Sequence, residues 1–130
     1  MASSAYSIVT EFRRKQLCEI TSGKISSIAP ISHIAFGSGG CDDDGTVKTP
    51  DAKQTALNQE IGRYKVDPPT YPSIATARYT VTIPNNELVG EIINEAALID
   101  SEGNVCAIRN MLPKGKDEEV TFTFTFDDEF

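Results

Sequence analysis

The sequence holds one histidine, three cysteines and no apolar run near the ~20 residues that a membrane-spanning helix requires. Each scarcity excludes something. With His33 as the one histidine, a serine triad has a single candidate base. It sits inside the apolar stretch PISHIAF (30–36), with no nucleophile-elbow glycines beside it. Cys18, Cys41 and Cys106 are odd in number and show no CxxC spacing, which argues against a disulfide framework or a zinc site and for three free thiols. Basic residues are outnumbered, 12 Lys and Arg against 19 Asp and Glu, for a net charge of −7. Phosphate binding rests on clustered lysine and arginine, so neither nucleic acid nor an anionic membrane surface is expected as the main partner. The N-terminus, MASSAYSIVTEFRRKQL, has no apolar core ahead of a cleavage site and does not read as a secretory signal. Gly37-Ser38-Gly39-Gly40 lacks both the spacing and the Lys-Ser/Thr pair of a phosphate cradle.

What is present suffices for one domain with a core. The chain has 130 residues, and 39% of them are hydrophobic, too many for a chain disordered by composition. The organising stretch is EIINEAALIDSEGNVCAIRNM (91–111). Two apolar runs, 92–99 and 105–111, flank Asp100-Ser101-Glu102-Gly103-Asn104. In a tight turn, Asp and Ser bond back to their own backbone, and Gly or Asn adopts positive φ cheaply. Leu88, Ile92 and Ala96 would also line a helical stripe, but the turn chemistry and the second run favour a β-hairpin. Strands are also expected at 30–36, 61–66, 74–83 and 120–126. In the last, Val120, Phe122, Phe124 and Phe126 share one face, which is core or interface, and acidic residues bracket the strand on both sides.

Residues 4–22 are expected to be helical, with Ala5, Ile8, Val9, Phe12, Leu17 and Ile20 on one half of the wheel. Serines 3, 4 and 7 are candidate caps, and Gly23 is the stop. Arg13-Arg14-Lys15 forms either a solvated face or a dock for an acidic neighbour. A second, two-turn helix is expected over 51–60, and 67–73 and 113–119 are expected to be irregular. The glycine-rich acidic loop GSGGCDDDGTVKTPD (37–51) is expected to be exposed. Asp42, Asp44 and Asp51 fall at positions 3, 5 and 12 of a calcium loop if Gly45 is its sixth residue. Position 1 is then Gly40, which offers no ligand, and position 12 is a short Asp. A calcium- or small-ligand-binding domain is therefore the alternative function. No catalytic, cofactor or metal-binding residue is assigned, and the chain does not read as an enzyme.

In order, a helix, SHIAFGSGG, TPDAKQTALNQEIGRYKV, a YTVTI strand, INEAALIDSEGNVCAIRNM and a closing aromatic strand resemble the phage tail-collar fibre family over roughly residues 5–126. Glu95, Asp100 and Gly103 fall on the family's hairpin pattern. Gly37 and Gly39 fall on its strand-to-loop glycines, and Leu57 and Glu60 on its short helix before a strand. Ala97 stands where the family usually has glycine, and Ser38 where it has an acid. The resemblance implies an α+β fold, an N-terminal helix packed on a mostly antiparallel β-sheet or small β-sandwich of five to seven strands. It implies a structural role: the module by which fibres of contractile phage tails, or of related tail-like bacteriocins, join the baseplate. Its motif residues would serve backbone geometry, and Glu95 would cap exposed backbone donors or pair with an arginine. Baseplate and fibre proteins would be the partners, a homotrimer the self-associated state, and a virion or tail-like particle assembled in the bacterial cytoplasm the location. A fibre module would normally continue into a shaft and a receptor-binding tip; as the sequence stops at Phe130, attachment is the expected role, with the chain either a short stand-alone adaptor or the partner of a separate chain that carries the tip.

Overall fold

The computed structural model describes residues 6–130. Among them are one helix, α1 (Glu11–Thr21), and eight strands: β1 (Ser7–Val9), β2 (Ile31–Gly37), β3 (Glu60–Lys65), β4 (Thr70–Ser73), β5 (Thr76–Ile83), β6 (Ile92–Asp100), β7 (Val105–Gly115) and β8 (Phe122–Glu129). All pairings are antiparallel. One sheet has the order β1-β7-β6-β2-β3 and the other β4-β5-β8. The architecture is mostly antiparallel β with one short helix, the coarse form of the expected α+β class.

The expected hairpin forms as β6 and β7. Its turn works by the chemistry that suggested it. Asp100 Oδ1 accepts from the amides of Glu102 and Asn104, both at 2.9 Å, and Gly103 takes φ +87°. From Ile93 to Asp100 every residue is buried, because both faces of this central strand are covered. A strand covered on both sides reads as a continuous apolar run rather than an alternation, which is why the same residues also fitted a helical stripe. Even-numbered Ala96 and Leu98 join Ile34 and Phe36 of β2 and meet Val81, Ile83, Phe124 and Phe126 of the other sheet. Phe36 sets the join, edge-on to Phe124 at 5.4 Å and to Phe122 at 6.2 Å between ring centres. Odd-numbered Ala97 and Ile99 turn to the opposite face with Ala35, Val105 and Ile108, where Leu57 and Ile8 pack on them.

Several sequence expectations need correction. The helix does not span 4–22. It begins at Glu11, and Ser7–Val9 instead pairs with Ala107–Arg109 as β1. The candidate caps Ser3 and Ser4, and Ala5, lie outside the described residues. Thr10 is the actual N-cap. It is fully buried, its Oγ1 accepts from the Arg13 amide at 3.3 Å, and it donates to the Val105 carbonyl at 2.8 Å. The helix buries no residue fully, so it is attached at its start rather than along an apolar face. The second helix, over 51–60, does not form; 51–59 is a succession of turns, and Glu60 already belongs to β3. The proline-rich stretch contains the short strand β4, and β7 runs on to Gly115 through the expected linker.

Candidate functional site

The residues that carried the family resemblance come from three distant stretches, and the fold brings two of them, Gly37 and Gly39, to the carboxylate of a third, Glu95. Glu95 lies on β6, 0% exposed, on the face covered by the segment between β2 and β3. Its Oε2 accepts from the amides of Gly39 and Gln59, both at 2.8 Å, and its Oε1 from the amide of Asn58 at 2.9 Å. Removing a carboxylate from water is costly unless charge-assisted hydrogen bonds replace its hydration. Three backbone donors do so here, and in turn they fix the loop that supplies them. Beside Glu95, Gly40 donates to Asn94 Oδ1 at 2.7 Å. Further along, Asn110 Nδ2 donates to the Lys48 carbonyl at 3.0 Å. The loop is thus latched to the sheet by the side chains of two adjacent β6 residues and one β7 residue.

The glycines are required by proximity. Gly37 pairs with Glu60 on one side and Glu95 on the other. A Cβ at Gly37 would collide with Glu95 Oε2 and stand 2.6 Å from the Gln59 carbonyl oxygen; one at Gly39 would stand 2.6 Å from Asn58 Cβ. Leu57, buried, anchors the apolar side of the same segment. Glu60 is apart from the latch: its carboxylate faces solvent and holds Arg63 through two bonds of 2.9 Å. Asp100 and Gly103 shape the hairpin turn at the far end of β6 and do not touch Glu95. Of the two roles expected for Glu95, capping backbone donors is the one the fold uses.

Two carboxylates of the acidic loop bond to backbone amides two residues on. Asp44 Oδ1 accepts from the Thr46 amide at 3.0 Å, a bond that holds its carboxyl below the usual range. Asp51 Oδ1 accepts from the Lys53 amide at 2.9 Å. Among the described residues no group of three or more His, Cys, Asp and Glu side chains is placed to hold a metal ion. His33 is half-buried with its Nδ1 2.8 Å from Ser32 Oγ. No helix of the described residues is long and apolar enough to cross a membrane.

Sequence reasoning missed a second cluster, where the helix meets the last strand. Arg13 reaches Asp128 at 3.3 Å, with side-chain exposures of 12% and 9%, and its guanidinium lies 6.0 Å from the Phe130 ring centre. Burial pushes the Asp128 carboxyl up, with Arg13 pulling the other way. Burial likewise raises the Cys106 thiol, again opposed by Arg13. Next along β8, Asp127 is held below its usual range by a two-bond pair with Arg78 at 2.8 and 3.0 Å. Of the basic cluster, Arg13 docks on an acid of its own chain, Arg14 is exposed, and Lys15 sits 3.5 Å from Glu19. Compared with known proteins, the chain matches no family model and no curated protein.

Proposed function

We propose that this chain is a structural, protein-binding component of a contractile phage tail or phage-tail-like particle, linking a tail fibre to the baseplate. One observation supports this reading above the others. Gly37, Gly39 and Glu95, picked out by resemblance from two separate stretches, meet at a single buried carboxylate, and Leu57 anchors the segment that supplies two of its three donors, while Glu60, Asp100 and Gly103 lie apart from it. Residues that resemble a family by chance have no reason to meet in space. The latch is structural chemistry. It holds a long loop over the outer face of the five-stranded sheet and leaves the outer face of β4-β5-β8 for contact. In this reading the two sheets, joined through Phe36, form a small β-sandwich on which α1 is clamped by Thr10 and Arg13. A homotrimer is the self-associated state that the family resemblance implies for this reading.

The test is the solution mass of the isolated chain by light scattering, alone and with each fibre and baseplate protein of its particle. A shift to a defined heteromeric mass with one of them is expected. A mass unchanged by all of them overturns the reading.

A further inference from the structure

The two sheets leave a groove of about 480 Å³ between β1 and β8, each the outermost strand of its sheet. Hydrogen bonding alternates along an antiparallel strand, so the register tells which backbone groups are unused. The Phe130 amide donates to Ala75 and the pairing runs unbroken from Ile83↔Phe122 to Thr76↔Glu129. The even-numbered residues of β8 therefore bond β5, while Thr123, Thr125, Asp127 and Glu129 turn their amides and carbonyls outward. On β1, Asn110 donates to Tyr6 and Thr10 to Cys106, so Ser7 and Val9 turn theirs outward as well.

The other edges are shorter or charged. β1 and β4 have three and four residues, β4 contains Pro72, and β3, with six residues, carries Arg63 and Lys65. β8 has eight residues, no proline, no lysine and no bulge. An edge this long and regular is an open template for another strand.

We propose that this groove takes an extended segment of another protein, added as a strand to β8, with apolar residues alternating with lysine or arginine. The inference rests on the attachment reading and specifies how the partner is held. Inward-facing side chains of the added strand would lie on Phe126, Ala107 and Val9. Outward-facing ones would run beside Thr125, Asp127 and Glu129. Arg78 already occupies Asp127, whereas Glu129 has no ion-pair partner among the described residues. That free carboxylate, on a chain of net charge −7, calls for a basic residue opposite it. Strand addition of this kind takes its affinity from main-chain bonds and its selectivity from alternate side chains.

The probe is a seven-residue peptide of alternating lysine and valine, added to the full chain while amide exchange is followed by NMR. Protection of the Thr123, Thr125 and Asp127 amides is expected. Thr125→Pro removes an amide the folded chain does not use, so its melting point should hold while peptide binding weakens by about tenfold. Glu129→Lys should weaken binding with no change at Thr125, which keeps the test open if the proline variant fails to fold. Unchanged exchange at these amides, or equal binding by Thr125→Pro at native stability, overturns the proposal. So does protection already present without peptide in a self-associated chain, since the occupant is then a second copy. A particle protein that binds while these amides still exchange freely overturns the strand groove alone. Peptide protection with no particle partner overturns the attachment reading alone.

Discussion

Glu95 is the residue on which the most structure depends, because three backbone amides have no other acceptor. Glu95→Ala leaves those donors buried and unpaired, and should cost about 3–5 kcal/mol of unfolding free energy. Glu95→Gln keeps the shape and can offer its carbonyl to Gly39 and Gln59, but turns an amide toward the Asn58 amide. It should cost less, about 2–3 kcal/mol. Gly37→Ala attacks the same latch sterically, since its Cβ meets backbone as well as the carboxylate. Gly103→Ala meets no atom within 4 Å but must hold φ +87°, and should cost only about 1 kcal/mol. Urea denaturation of the four variants gives the ranking. A Gly37→Ala variant as stable as Gly103→Ala would mean the loop relaxes away from Glu95 without penalty.

At the scale of elements, α1 is secured by an ion pair with an acid on a strand more than a hundred residues away. The pair sets a pH dependence. Burial holds the Asp128 carboxyl above its ordinary range, so the folded protein takes up that proton before the unfolded chain does. Its stabilising contribution is complete below the ordinary carboxyl range and is lost as pH rises through the raised value. Asp127 acts oppositely. Arg78 holds it below the ordinary range, so its contribution is present above that range and is lost as pH falls through the lowered value. Arg13→Ala removes the cation that offsets the burial of Asp128. The variant should be destabilised by about 2–4 kcal/mol at neutral pH. The deficit should shrink as pH falls through the raised range of Asp128, and it should be gone before the ordinary carboxyl range is reached, because the acid is already protonated in the folded protein. Denaturation at several pH values checks this; a deficit independent of pH would assign the role of Arg13 to packing on Phe130.

These elements also show where local rules reach. The β6–β7 hairpin was legible because its turn carries its own chemistry in Asp100 and Gly103. β8 was legible because its phenylalanines alternate. Residues 51–59 were misread as helical since their propensity is overruled from outside: Glu95 takes the Asn58 and Gln59 amides from 36 residues away or more. Ser7–Val9 fits a helical wheel, but its partner Ala107–Arg109 lies about a hundred residues downstream, beyond any local pattern. The resemblance named Gly37, Gly39, Leu57 and Glu95 one by one; only the fold makes them neighbours. Arg13 read either as part of a solvated face or as a dock for an acidic neighbour, and nothing in its flanking residues signals that the neighbour is Asp128.

The molecule as a whole depends on two sheets closing on one another, and Phe36 is the side chain that joins them. It is fully buried on β2 and touches the rings of Phe122 and Phe124 on β8 as well as Tyr64 on β3. Truncation of such a residue removes its burial energy and leaves a cavity that close-packed neighbours fill only in part. Phe36→Ala should therefore cost about 3–5 kcal/mol, a large share of the ~5–15 kcal/mol that a domain has in total. Ile74, at the tip between β4 and β5, is fully exposed and supports nothing, so Ile74→Ser should change stability by less than about 0.5 kcal/mol. If the sheets form one cooperative unit, Phe36→Ala will unfold in a single urea transition, and exchange will accelerate together at Leu98 in one sheet and Val81 in the other. Two transitions, with one sheet still protected, would show that each sheet is stable alone and that the contact through Phe36 only docks them.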